Sequence, residues 1–156
     1  MEKPHGVTPR LQHLIIRLGA AAVGSIFLLS ATPKIIDSYS FLANVYDYAF
    51  WGPTAGLAIA VYLPYLEFVL GIALVTGIFP VEALLLALGL LLGFVGMQCY
   101  VLFNGMNVQC GCFGANSDPV NLITLARTSA IALACGFLLL FSCAENIFKK
   151  ANLNTT

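Results

Sequence analysis

Long apolar runs separated by short polar segments dominate the chain. Four of these runs lie at about residues 11–31, 54–79, 81–103 and 122–143. Each is close to the roughly 20 residues that an α-helix needs to cross about 30 Å of hydrocarbon. The strict alternation of apolar and polar positions that a membrane β-barrel requires is absent. The pattern therefore predicts an all-α integral membrane four-helix bundle, with residues 1–156 forming a single membrane domain.

The composition strengthens this prediction and excludes other classes of protein. Hydrophobic residues make up 60% of the chain and charged residues 9%, whereas about a quarter of the residues in a soluble domain are charged. The formal net charge is zero and there is no basic block, which argues against nucleic acid as a partner. Membrane lipid is the partner that this composition predicts.

The first apolar run also fits a second interpretation. Arg10 and Arg17 precede an apolar stretch that ends at Ser30 and Ala31, as in a secretory signal peptide with a small-residue cleavage site. We favour a retained helix, because the three remaining helices alone would place the two ends of the chain on opposite sides of the membrane.

The distribution of positive charge predicts the orientation. Basic residues cluster at both ends of the chain, at Lys3, Arg10, Arg17, Lys149 and Lys150. The connections 32–53 and 104–121 hold one lysine between them and three aspartates. The positive-inside rule therefore predicts cytoplasmic termini, with both connections on the exterior side of an inner or plasma membrane. The aromatic residues within 46–51 are typical of interfacial anchors.

Two cysteines in the second exterior connection carry the most informative chemistry. They are separated by one glycine in the run Cys110-Gly111-Cys112-Phe113-Gly114. A glycine between them lets the backbone turn tightly, so that both sulfurs can lie within disulfide range. The periplasm, or another exterior compartment, permits disulfides.

Three kinds of chemistry fit this pair. Thiol–disulfide exchange needs an accessible thiolate and a second sulfur nearby, and a strained exposed disulfide tends to be oxidising. A static disulfide would only fasten the loop. Alternatively, Met106 could join Cys110 and Cys112 in holding Cu(I). A closed Cys/His zinc site is not predicted, because no histidine lies outside the N-terminal segment.

The other cysteines lie within the apolar runs. Cys99 is about one turn from the outer end of the third helix, where it could supply a third sulfur to the loop pair. Cys135 and Cys143 in the fourth helix are most simply small apolar packing residues. With five cysteines in the chain, at least one thiol stays free unless two chains pair.

Glu67 places a carboxylate near the middle of the second run. A bare carboxylate is costly in hydrocarbon, so we expect it to face the bundle interior and to have a partner. Arg127 and Arg17 are both candidates, and the sequence does not choose between them. Glu67 could then carry a proton or contact a ligand, or form a structural ion pair with Arg127. Lys34 and Asp37 are expected to form a solvated pair at the outer interface.

Small residues recur in the third run as Gly89, Gly93 and Gly96. Such spacing lets a neighbouring helix approach closely. We expect this neighbour to belong to the same bundle, and a homodimer is the alternative.

The order of these features resembles the methylamine utilisation MauE family, a branch of the DoxX-like four-helix membrane proteins. The resemblance extends from residue 14 to residue 142. It rests on Arg17-Leu18-Gly19, on the segment 27–34 with Asp37 and Phe41, on Leu63-Pro64-Tyr65-Leu66-Glu67, on the CGCFG run and on Arg127.

The resemblance implies disulfide formation during the maturation of an exported redox enzyme of the methylamine dehydrogenase type, with a thioredoxin-like exported partner. Links of DoxX-like relatives to quinone-coupled oxidation make a quinone the cofactor to consider. The resemblance assigns Cys110 and Cys112 as the redox pair, with Glu67 and Arg127 as a supporting polar cluster. A basic residue, Arg127 or Lys34, would favour the thiolate. The alternative is a non-enzymatic assembly factor whose disulfide shapes a docking loop.

Overall fold

The computed structural model describes residues 9–48, 52–106, 108–110 and 119–153. This part of the chain forms five helices: α1 Pro9–Ile36, α2 Ser38–Asp47, α3 Pro53–Thr76, α4 Pro80–Phe103 and α5 Leu122–Leu153. Four of them contain stretches of 23 or 24 residues that are long and apolar enough to cross a membrane. Across these described ranges, the only extended pairing is an isolated bridge between Gln109 and Pro119. The predicted all-α, multi-pass membrane fold is confirmed.

The exterior connection predicted at 32–53 is largely helical. Helix α1 continues through Pro33 to Ile36, and only Asp37 separates it from α2. Asp37 caps α2, since its carboxylate accepts a hydrogen bond from the Ser40 N–H at 3.2 Å. This side chain satisfies a donor that the first turn of a helix leaves without a partner.

Helices α1 and α2 run one after the other along α3, antiparallel to it. Gly24 of α1 lies against Gly71 in the second half of α3. In α2, Phe41 and Val45 form a buried cluster with Ala60 of α3. The Tyr46 hydroxyl then donates to the carbonyl of Pro53, at the start of α3, at 3.0 Å. The chain therefore stays packed against α3 on both sides of the break at Asp37.

Helices α1 and α3 lie close together at a pair of glycines. A Cβ atom on Gly24 would lie 2.8 Å from the Gly71 carbonyl oxygen, so the crossing leaves no room for a larger residue. By contrast, a Cβ on Gly89, Gly93 or Gly96 would meet nothing within 4 Å. The expectation that these three glycines let a neighbouring helix of the bundle approach closely is wrong, because no helix in the described part of the chain packs against them.

The main core lies where α1, α3, α4 and α5 meet. It includes Phe27, Leu74, Leu84 and Cys135, each at most 4% exposed. The Cys135 thiol lies 3.5 Å from the Leu84 carbonyl oxygen, to which it donates. This position confirms Cys135 as a small packing residue.

Candidate functional site

Lys34 and Glu67 form an ion pair inside the bundle. The Lys34 Nζ lies 2.8 Å from each carboxylate oxygen of Glu67, and both residues are 1% exposed. Ser30 bridges the pair, since Lys34 donates to its hydroxyl at 3.1 Å and that hydroxyl donates to Glu67 at 3.5 Å. The rings of Phe41 and Phe94 lie 5.3 and 5.1 Å from Nζ. Both charges are therefore removed from water and from lipid.

The expected partners of Glu67, Arg127 and Arg17, are wrong. Glu67 lies about 21 Å along α3 by helical rise, and the antiparallel α1 brings Lys34 beside it. Arg17 lies at the far end of α3, where Nη2 donates to the Thr76 carbonyl at 3.4 Å and complements the negative end of the helix dipole. Arg127 is exposed on α5.

The expected solvated pair of Lys34 and Asp37 is also wrong. Lys34 points inward to Glu67, while Asp37 is an exposed helix cap. Hydrogen bonds from the hydroxyl and the backbone N–H of Ser40 lower the pKa of the Asp37 carboxyl below its ordinary value. Asp37 therefore serves the start of α2 and not the ion pair.

Cys110 contacts Gln98 of α4 and Tyr48, which directly follows α2. The Gln98 Nε2 of α4 donates to the Cys110 sulfur at 3.3 Å and to the hydroxyl of Thr128 on α5 at 3.1 Å. The Tyr48 hydroxyl, just after α2, lies 3.3 Å from the carbonyl oxygens of Gln109 and Cys110. An N–H donor directed at sulfur stabilises the negative charge of a thiolate.

The loop that carries the cysteine pair has an anchored base. Val120 donates to the Val108 carbonyl at 2.9 Å, next to the bridge between Gln109 and Pro119. Val101, Val108 and Val120 form a buried cluster against which Met106 and Cys110 pack. The remaining members of the motif lie outside the described residues: Gly111, Cys112, Phe113 and Gly114.

Cys99 and Cys110 both form no disulfide among the described residues, so a third sulfur from Cys99 stays a prediction. Cys99 follows Gln98 directly, and successive residues on a helix point about 100° apart. Gln98 faces Cys110, so Cys99 is directed elsewhere. Cys143 also forms no disulfide.

An apolar cavity of about 360 Å³ lies between α2, α3 and α4, with Cys110 at its edge. Asn44 and Gln98 contribute its amide groups, and Phe41 and Phe94 form part of the wall. Both rings also contact Lys34. The cavity therefore lies between the cysteine and the buried ion pair.

Reasoning from sequence missed three residues of this site: Asn44, Tyr48 and Gln98. Tyr48 belongs to the aromatic segment that predicted only interfacial anchoring. Gln98 carries a detectable signal, since an uncharged amide deep in an apolar run needs a hydrogen-bond partner. Asn44 carries no such signal in the sequence, because a polar residue is ordinary in the exterior connection predicted at 32–53.

The comparison with protein families gives one finding. The family model described as "Methylamine utilisation protein MauE" matches residues 12–141. That range includes the ion pair, the CGCFG run and the whole cavity. The curated proteins and the solved structures give no match. Because the match covers most of the chain, this multi-pass membrane protein belongs to the MauE family of methylamine utilisation proteins.

Proposed function

We propose that the protein is a thiol–disulfide redox protein that supports the maturation of an exported redox enzyme of the methylamine dehydrogenase type. Cys110 and Cys112 cycle between dithiol and disulfide on the exterior side of the inner or plasma membrane. The observation that carries this proposal is the 3.3 Å contact between the buried Gln98 amide and the Cys110 sulfur. Family membership and the CGCFG run support it.

The Gln98 contact favours a redox role over a static disulfide. A disulfide that only fastens a loop gains little from a buried donor, whereas a thiolate gains stabilisation of its charge. Gln98 is itself held by Thr128, and Tyr48 fixes the backbone carbonyl of Cys110. This arrangement holds one sulfur of the pair in place while the pair changes oxidation state.

The exchange reaction proceeds in two displacements. A thiolate of a thioredoxin-like exported partner attacks one sulfur of the Cys110–Cys112 disulfide, and the other sulfur leaves as a thiolate. The second thiol of the partner, once deprotonated, then attacks the mixed disulfide. The partner leaves with a new disulfide, and the membrane protein is left as the dithiol. Two electrons have moved from the partner to Cys110 and Cys112.

In this proposal Gln98, in place of Arg127 or Lys34, favours the thiolate form of Cys110. Glu67 remains a candidate proton carrier. Its carboxylate lies 2.8 Å from the Lys34 ammonium group. A proton taken up by Glu67 would leave the buried Lys34 without a counter-charge. Glu67 and Lys34 therefore have to act together in any proton transfer.

The proposal predicts that the cysteine pair behaves as a reversible two-electron couple in purified protein. After equilibration in buffers of graded thiol–disulfide ratio, the fraction of alkylated Cys110 and Cys112 is read as a mass shift. The fraction should follow a two-electron curve, with about 30 mV for each tenfold change in ratio. Cys112→Ser should abolish the transition, and Cys143→Ser should leave it unchanged. A pair that stays oxidised across the whole series would contradict the redox role and favour a structural disulfide.

A further inference from the structure

We infer that Thr128 of α5 is a positioning residue that directs the Gln98 amide at Cys110, and that Cys110 is therefore the sulfur that leaves when an exported thiol partner attacks the disulfide. The mixed disulfide then forms on Cys112. This inference rests on the proposed function, which leaves open which of the two sulfurs is attacked.

The hydrogen bonds of Thr128 set the direction of the Gln98 amide. A hydroxyl group has one proton, and Thr128 donates it to the Thr124 carbonyl oxygen at 3.0 Å. The Thr128 oxygen therefore meets Gln98 as an acceptor, and the Gln98 Nε2 donates to it at 3.1 Å. The same Nε2 lies 3.3 Å from the Cys110 sulfur. Thr128 thus keeps the NH2 group of the amide, and not its carbonyl oxygen, on the side of the sulfur.

Burial strengthens the effect of this donor on a charged sulfur. Gln98 is 2% exposed and Thr128 is 9% exposed, so little water competes for the amide. A hydrogen bond to a charged group is stronger than one between neutral groups, and the low dielectric of a protein interior strengthens it further. An amide turned by 180° would place its oxygen against the sulfur and oppose a negative charge there.

A stabilised thiolate makes Cys110 the better leaving group. In thiol–disulfide exchange, the sulfur that forms the more stable thiolate leaves faster, and access decides which sulfur is attacked. Cys110 is half-buried and packs against a buried cluster of three valines at the base of the loop, which restricts the approach of a protein thiol to its sulfur. Both effects direct the attack to the other sulfur of the pair, that of Cys112.

The two displacements then have a fixed order. A thiolate of the partner bonds to the Cys112 sulfur, the Cys110–Cys112 bond breaks, and Cys110 takes the electron pair as a thiolate beside the Gln98 N–H. The second thiol of the partner loses its proton to water and attacks the partner's own sulfur in the mixed disulfide, so that Cys112 leaves as a thiolate. The partner gains a disulfide, two electrons pass to the pair, and proton uptake from water gives the dithiol.

The alkylation rate of Cys110 tests the direction of the amide without any redox step. In purified full-length Cys112→Ser protein, the rate is followed across neutral and alkaline pH, and mass spectrometry locates the label. Adding Thr128→Val should shift this pH profile upward by about one unit, through loss of an oriented hydrogen bond to a charged group. Thr128→Ser keeps the hydroxyl and should restore the profile. Ser142→Ala is the matched control, since it removes another buried hydroxyl of α5, about 21 Å along the helix. An unchanged profile in Thr128→Val would overturn the inference.

The position of the mixed disulfide tests which sulfur leaves. Oxidised wild-type protein is treated briefly with reduced glutathione and quenched with an alkylating reagent, and tandem mass spectrometry locates both labels. Glutathione should occupy Cys112 about tenfold more often than Cys110, and Thr128→Val should bring the two closer to equality. An even distribution in the wild type, with exchange intact, would overturn the inference and leave the redox couple standing. A wild-type disulfide that does not exchange at all would instead refute the proposed function, and the order of displacement with it.

Discussion

Lys34→Met is expected to lower the free energy of unfolding by about 3 to 5 kcal/mol, and Glu67→Leu should do the same. Each substitution leaves the other charge buried without its partner, which is the costly way to break a buried ion pair. Both residues are 1% exposed, so the charge that remains would stay buried. Unfolding of purified protein in mixed micelles, followed by loss of helical signal, measures the effect.

The double variant Lys34→Met, Glu67→Leu should recover most of the lost stability. Replacing both members of a buried pair by apolar residues removes the desolvation penalty together with the attraction. Glu82→Gln is the control, because Glu82 is an exposed carboxylate in the first turn of α4, where its loss costs less than about 1 kcal/mol. If Lys34→Met costs no more than this control, the pair is not desolvated as described.

The same double variant separates the two roles of Glu67. A stable double variant that still supports maturation of the exported enzyme would make the pair structural. A stable double variant that has lost this activity would support proton transfer through Glu67 and Lys34.

Cys110→Ser and Cys112→Ser are each expected to reduce maturation of the exported enzyme to the level of cells that lack the protein. A single thiol cannot close the intramolecular disulfide that accepts electrons from the partner. The amount of protein in the membrane should be unchanged, since the described contacts of Cys110 lie at the end of the bundle and outside the main core. Activity of the mature enzyme and immunoblots of the membrane fraction provide the readouts.

Cys143→Ser is the matched control for these variants. Cys143 lies on α5 and forms no disulfide, so its replacement should leave maturation intact. Full activity in the double variant Cys110→Ser, Cys112→Ser would contradict the redox proposal.

The sequence predicted the membrane helices because the bilayer leaves few alternatives. A backbone in hydrocarbon must satisfy its own hydrogen bonds, so an apolar run of about 20 residues forms a helix. The need to satisfy backbone hydrogen bonds does not determine which helices pack against each other. The partner of Glu67 depends on the register of α1 on α3, which no local pattern encodes. Lys34 is 33 residues away in the chain and lies at the end of its apolar run, where a solvated lysine is the ordinary expectation.

The candidate site was only partly predictable for a similar reason. The CGCFG run singled out Cys110 as a candidate from composition and spacing alone. The contacts of Gln98 join residues that are 12 and 30 positions apart, and they exist only once the loop and α5 pack against α4. The glycines of α4 show the limit of pattern analysis most clearly. Their spacing predicted close helix packing, whereas Gly89 and Gly93 line a cavity and a Cβ on Gly96 would meet nothing within 4 Å.

The oxidation state of Cys110 and Cys112 in intact cells tests the central claim most directly. The helix cysteines are first replaced by alanine, at Cys99, Cys135 and Cys143. A membrane-impermeant thiol reagent is then applied before and after mild reduction, and a mass-shift gel reports the labelled fraction. We predict a mixture of labelled and unlabelled pairs that shifts to full labelling on reduction, as an exterior redox couple requires. A pair that is fully oxidised and resists mild reduction, or one that is never labelled, would contradict the account.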